Sequence, residues 1–279
     1  MNSPKIIDVH VHITSPEISK NADKVADKEP YFALLSGNPK NKFATGEQVA
    51  EEMLSCGITE SIVFGFSFMD MGLCKEANDY TAEVIKNHPE LIGFMVVSPT
   101  DKNVEAEIDR CMAMGLRGIG EIFPNGQNFP IDDFKITKNF GGLLKERGLP
   151  VIIHTNEPVG HYYPGKTNTT PHEAAKFACV HPDLKILFAH LGGGLLFYEL
   201  MPEMKKGLKN VFYDTAALPF LYNTAIYNSA VSIGVMDKLL FGSDYPLLSP
   251  RRYFDGIKST LSDGYIDMLF YENAMRFIY

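Results

Sequence analysis

The chain has 279 residues, 45% of them apolar, with 19 Phe and 13 Tyr, enough to fill a large core. A net charge of −8 counts against a surface that tracks nucleic-acid phosphates. No apolar run reaches the roughly 18 residues of a membrane span, and Cys56, Cys74, Cys111 and Cys179 lack metal or redox spacing. These cysteines read as reduced packing residues. The opening "MNSPK" runs straight into an apolar segment and leaves no room for a signal peptide. The expectation is a cytoplasmic protein with a small-molecule substrate and neither a nucleic-acid nor a membrane partner.

The first strand-like run, "IIDVHVHI" at 6–13, alternates: Asp8, His10 and His12 share one face, while Ile7, Val9, Val11 and Ile13 share the other. A polar stripe on an apolar strand faces either water or a furnished interior. Residues 14–44 follow as a long loop, of the length typical of lids and binding loops. A helix over 45–57 starts at Thr45 and stops at Gly57. Strands over 58–66, 91–97, 116–122, 149–155, 184–190, 210–216 and 238–244 then alternate with helices over 78–89, 101–115, 140–148, 170–182 and 195–207. The connections around 220–233 and 250–262 are less regular, and 265–279 closes the chain as an amphipathic helix. Eight βα units predict a (β/α)8 TIM barrel, α/β in class, as a single domain over 1–279 with a long β1–α1 loop insertion. An open doubly wound sheet would carry a glycine-rich phosphate loop after its first strand, and none is present.

In a closed barrel the polar stripe faces the axis, and chemistry sits at the C-terminal strand ends. There, besides His10 and His12, the chain places Glu121, His154, His190 and Asp244, each near the end of an otherwise apolar run. Imidazoles and carboxylates without thiolates suit Zn²⁺, Mn²⁺, Fe²⁺ or Ni²⁺, with zinc the default and a second ion open. The loop at 156–168 offers Glu157, His161, Tyr163 and Lys166 as substrate contacts, and Arg251 and Arg252 follow strand eight. Lys166 or an arginine would pair with a substrate carboxylate. His88 and His181 fall at helix ends, where an imidazolium suits the dipole, and His172 lies in a helix's first turn; none of the three is given chemistry. The stretch "FLYNTAIY" at 220–227 reads equally as a homodimer interface or as core.

The segments "DVHVH", "GIGEI", "IIHT", "ILFAHLGGG" and "LFGSDYP" together resemble the amidohydrolase superfamily of metal-dependent hydrolases. The likeness is closer to the amidohydrolase-related branch that includes aminocarboxymuconate-semialdehyde decarboxylase, and "NVFYDTA" and "YENAMRFI" extend it over nearly the whole chain. The resemblance implies a barrel of the metallo-dependent hydrolase type, with His10, His12 and Asp244 on a first ion. In mononuclear members His154 would join that ion, and His190 would polarise water or substrate. In binuclear members both would bind a second ion, with a strand-four carboxylate bridging. Glu121 occupies that strand-four place, as in the TatD-type deoxyribonucleases and unlike many decarboxylase-like relatives. The implied function is hydrolysis of a small amide, ester or lactone, with Asp244 as general base and His190 beside the oxyanion. The alternatives are non-oxidative decarboxylation of a small aromatic or enol acid, a TatD-like nuclease, or a metal-binding barrel without turnover.

Overall fold

The structure, a computed structural model, describes residues 5–38 and 41–279; the first four residues, and Pro39 and Lys40 inside the insertion, lie outside the described residues. Its eight strands are β1 (Ile7–His12), β2 (Glu60–Phe64), β3 (Leu91–Gly93), β4 (Ile119–Ile122), β5 (Val151–Ile153), β6 (Ile186–Phe188), β7 (Val211–Asp214) and β8 (Leu239–Leu240). Each lies inside its expected run and is shorter. Apolar burial continues past the last ladder hydrogen bond, to where the chain turns to present a polar side chain.

All pairings are parallel, in the orders β1-β2-β3 and β4-β5-β6-β7-β8. Backbone hydrogen bonds join the two runs at both edges. Met95 N–H donates to Gly118 O (2.9 Å) and Gly120 N–H to Met95 O (3.0 Å), which links β3 to β4. At the other seam Val9 N–H donates to Phe241 O (2.9 Å), Asp244 N–H to His10 O (3.0 Å) and His12 N–H to Tyr245 O (2.8 Å). The ring therefore closes as a barrel. Its strands are buried on both faces, because helices cover the outside and side chains fill the axis. The register shifts between Asp8 and Val11 and between Ile119 and Ile122, the two places that carry His10 and Glu121. Such irregularities re-aim a side chain.

The expected loop at 14–44 instead contains three short helices: α1 (Pro16–Lys20), α2 (Ala22–Ala26) and α3 (Pro30–Ser36). Ser15 caps α1 by accepting from Ile18 N (3.0 Å), and prolines open α1 and α3. Each helix buries a single apolar anchor, Ile18, Val25 or Phe32, too sparse a signal for a helical period to be read. Glu29 is buried and accepts from Met69 N (3.0 Å) and Asp70 N (2.8 Å), which fastens the insertion to the segment after β2.

The main barrel helices begin with α4 (Gly46–Cys56), which carries a Thr45–Gln48 capping box and ends at left-handed Gly57. They continue with α5 (Met71–Asn87), α6 (Val104–Ala113), α7 (Phe134–Arg147) and α8 (Pro171–Val180). The helix expected over 195–207 is split at Pro202 into a 3₁₀ turn, Leu195–Leu200, and a short helix, Pro202–Gly207. His181 ends α8, with its Nε2 3.1 Å from Thr137 Oγ1. Burial lowers its pKa, which works against the imidazolium expected there. The four cysteines are unpaired. Among the described residues no helix is long and apolar enough to cross a membrane.

Candidate metal centre

The strand ends gather the six expected donors into two groups, His10–His12–Asp244 and Glu121–His154–His190, the donor atoms of each group lying within 4.8 Å of one another. Glu121 stands between the groups. Its Oε1 is 3.0 Å from His154 Nδ1, 3.6 Å from His190 Nε2 and 3.8 Å from His10 Nε2, and its Oε2 is 3.8 Å from His12 Nε2. Asp244 Oδ1 is 3.5 Å from His12 Nε2 and 3.8 Å from His10 Nε2.

Two of these residues need unusual backbone. His190 has φ 57° and Asp244 φ 61°, the left-handed region, which costs a non-glycine residue about 1–2 kcal/mol. Positive φ continues from His190 through Leu191 and the three glycines of "HLGGG". A Cβ on Gly193 would come within 2.3 Å of Asn156 O, so only glycine fits there. The turn is held by Asp214, whose Oδ1 accepts from His190 N (2.8 Å) and Ala216 N (3.0 Å).

The outer ring nitrogens fix what the inner ones present. His10 Nδ1 donates to Asp214 Oδ2 (2.8 Å) and His190 Nδ1 to Ala216 O (2.9 Å). His154 Nε2 donates to Asn156 Oδ1 (2.9 Å) and Gly165 O (3.0 Å). All these acceptors lack a proton, so each neutral ring turns a lone pair inward. His190 Nε2 and His154 Nδ1 then face each other at 3.2 Å beside a carboxylate, and His10 Nε2 is buried with no hydrogen-bond partner. Lone pairs and carboxylates converging in a buried space call for a cation, and sulfur-free N/O donors suit a divalent first-row ion.

A proton competes for the same atoms. Burial disfavours the charged His10 ring, yet Asp214 and Glu121 outweigh it and hold its pKa up at about 9. Burial likewise opposes charge on His190, and Glu121 raises it to about 10. His12 is pushed down to about 4, chiefly by burial, with Asp244 opposing. Glu121 stays well below the usual carboxylate range, since His154 and His10 overcome the cost of burying its charge. Asp8, deeper on β1, accepts from His10 N (3.2 Å) and Ser243 N (2.9 Å), and burial lifts its carboxyl to about 7.

The cluster forms the floor of a cavity of about 490 Å³. Its walls are aromatic: Tyr31, Phe32 and Phe43 come from the insertion, with Phe66, Phe123 and Phe220 from later connections. Of the expected substrate contacts, His161 and Tyr163 line this cavity. The other four are placed elsewhere. Lys166 Nζ is held by the carbonyls of Val159 and His161, and Glu157 lies beside the Tyr222 hydroxyl. Arg251 donates to the Ser55 carbonyl, and Arg252 stacks 5.5 Å over Phe220 and lines a separate polar cleft. Flexible cations satisfied by nearby carbonyls or rings do not reach inward. Of the 220–227 stretch, Phe220 and Leu221 line the cavity, while Ile226 and Tyr227 join the core.

The sequence reading missed Asp214 and Asn156. Asp214 ends an apolar strand just as the chosen donors do, so the same positional rule reaches it. Asn156 carries no such signal, because a loop amide two residues beyond a histidine is ordinary.

The sequence pattern of the family described as Amidohydrolase matches residues 7–278. No curated protein matches the sequence. Among solved structures, 5-carboxyvanillate decarboxylase LigW from Sphingomonas paucimobilis superposes with a TM-score of 0.79 at 17% identity, covering 99% of each chain. The 5-carboxyvanillate decarboxylase of Novosphingobium aromaticivorans, solved with manganese and a nitrobenzoic acid, gives 0.74 at 17% identity over 99% of this chain and 96% of that one. A protein of Acinetobacter baumannii described as a probable 2-pyrone-4,6-dicarboxylic acid hydrolase gives 0.66 at 14% identity, over 100% and 99%. At these identities the likeness is one of fold.

Proposed function

The chain belongs to the amidohydrolase family, and on that premise we propose that it is a metal-dependent hydrolase of a small organic ester, lactone or amide, acting as one domain over 1–279 in the cytoplasm. Zinc is the proposed resident ion, with Mn²⁺, Fe²⁺ or Ni²⁺ able to replace it, and the second donor group, Glu121, His154 and His190, leaves the count open between one ion and two. The observation that carries the reading is the place of Glu121, within 3.8 Å of all four rings at the foot of an open cavity.

His10, His12 and Asp244 would hold such an ion, which when bound would supply an acidified water, its pKa lowered from 15.7 toward about 7, and a Lewis acid for a carbonyl oxygen. The remaining chemistry belongs to the chain. Asp244, at the cavity floor beside His12, takes the proton of the attacking water and passes it to the leaving group. His190 is braced through both its backbone N–H and its Nδ1, and with a single ion bound elsewhere its Nε2 would keep the proton that Glu121 favours and donate it as a hydrogen bond to the developing oxyanion. The aromatic walls exclude water and select a flat or apolar body.

A second reading, non-oxidative decarboxylation of a small aromatic or enol acid, is supported by those same walls and by the decarboxylases among the structural neighbours. The test is to strip the protein with chelator, reload it with ZnCl₂ or MnCl₂, and compare two panels. Metal-dependent cleavage of 4-nitrophenyl acetate or dihydrocoumarin supports hydrolysis. Release of CO₂ from 5-carboxyvanillate or 2,6-dihydroxybenzoate without ester cleavage moves the assignment to the second reading. Silence in both points to a barrel without turnover. The net charge of −8 favours a small-molecule substrate over nucleic acid, and failure to retain single-stranded DNA at low salt would bear this out. The homodimer expectation is checked by sedimentation.

A further inference from the structure

We propose that Asn156 orients the phenol of Tyr163 so that its O–H donates to an acceptor oxygen of the substrate seated over the donor cluster. This rests on the reading above of the cavity as a small-acid or ester site, and it adds a binding group that the metal does not provide.

The geometry leaves Asn156 no freedom. Its Oδ1 accepts from Thr167 N (2.8 Å), Thr167 Oγ1 (2.8 Å) and His154 Nε2 (2.9 Å). A backbone N–H can only donate, so this atom must be the amide oxygen, and the other end must be NH₂. That end reaches Tyr163 Oη at 2.9 Å, and Asn156 is buried. The phenol oxygen is therefore an acceptor in this contact. Its own proton is left to donate, and no protein acceptor takes it among the described residues. Tyr163 lines the cavity that the cluster floors.

Two further contacts hold the ring in place. The Lys166 ammonium, anchored on the carbonyls of Val159 and His161, sits 5.7 Å over its face, and the His161 ring lies 6.2 Å away. A cation over the face of a ring is attracted by its quadrupole and helps fix where the ring lies. The matching ligand carries one oxygen for the cation and a second, carbonyl or phenolic, for Tyr163. Asn156 is thus a positioning residue, with His154 on one side and the substrate's donor on the other.

The test uses the manganese-loaded protein and two coloured probes, 4-hydroxy-3-nitrobenzoate and 3-nitrobenzoate, which differ by the one oxygen at issue. Tyr163→Phe removes only the phenolic oxygen. Asn156→Asp keeps the acceptor for His154 and Thr167 but replaces NH₂ by a second acceptor, so the phenol donates back to the chain instead of into the cavity. Either change should raise the Kd of the hydroxylated probe about tenfold, with 3-nitrobenzoate moving less than about twofold. The double variant should lose no more than either single one. Manganese stoichiometry and thermal midpoint, read in parallel, should stay at parental values for Tyr163→Phe. The proposal is overturned if Tyr163→Phe and the parent handle the hydroxylated probe alike, absence of binding by both included. Equal weakening of both probes overturns it as well. A parent that takes up no manganese sinks the metal reading instead, whatever the probes do.

Discussion

The two halves of the donor cluster are built differently. In the Glu121–His154–His190 half, both rings have their outer nitrogens fixed on oxygen acceptors, and the residues follow three adjacent strands, β4 to β6. In the His10–His12–Asp244 half only His10 is braced, by Asp214. The Nδ1 of His12 is buried without a hydrogen-bond partner, and the residues straddle the seam between β8 and β1. A ring whose outer nitrogen is engaged has its tautomer imposed before any ion arrives. The His12 ring lacks that partner and is held instead by stacking on Phe66 (centroids 5.0 Å apart) and an edge contact with Phe64 (4.9 Å). One half is set by hydrogen bonds throughout; in the other, one ring is set by packing alone.

The largest effect should come from Glu121→Gln, which removes the charge both halves share. Metal content per chain should fall, and kcat/KM on any substrate that turns over should drop by at least about 10²-fold; unchanged metal analysis and kinetics would take Glu121 out of the centre. Asp214→Asn comes next, because it loosens His10 in one half and the His190 turn in the other. Manganese affinity by calorimetric titration should weaken by roughly 10–100-fold. A loss of similar size in Asn156→Leu, which among the six donors touches only His154, would show that the two halves are equally dependent on their outer contacts.

Acidity sharpens the contrast further. His10 at about 9 and His190 at about 10 hold protons that an ion must displace, so manganese affinity should climb with pH, by up to about tenfold per unit for each proton released. The stripped protein should show the linked stability effect. Raised pKa values stabilise the fold fully below the unfolded value of 6.5 and cease to do so as pH passes 9–10, so its thermal midpoint should fall over that interval. His12, lowered to about 4, acts the other way: the fold loses stability as pH drops from 6.5 toward 4. A midpoint flat from pH 7 to 10 would refute the first assignment. At the bottom of the scale, Arg251→Ala should alter stability by no more than about 0.5 kcal/mol and leave catalysis untouched, since that exposed side chain faces Ser55.

Much of the floor was legible in the sequence, because a donor inside an apolar strand contradicts its surroundings. His10, His12, Glu121, His154, His190 and Asp244 each stand out that way, and the eight-unit alternation fixes which end of the barrel they share. The walls were not legible. Phe32, Phe43, Phe66 and Phe123 look like ordinary core residues until the connections carrying them are folded over the mouth. Charged loop residues misled for the opposite reason. Lys166, Arg251 and Arg252 advertise binding, yet each finds a local carbonyl or ring within reach. Asn156 shows the deepest limit, since its meaning lies in three hydrogen bonds on one atom and none of that is spelled in a linear pattern.

The seam between β8 and β1 has a consequence for how the molecule assembles. Asp8 receives the N–H of Ser243, Asp244 donates to His10 O, and His10, His12 and Asp244 meet across that same junction. Donors more than two hundred residues apart in the sequence thus meet across one seam, and removing residues from 244 onward would leave His10 and His12 without their carboxylate partner there. An ion held there would act as a clasp between the first and last strands of the barrel. Its departure should therefore be felt first as fraying and protease sensitivity of the final helical turns, long before the middle of the barrel loosens.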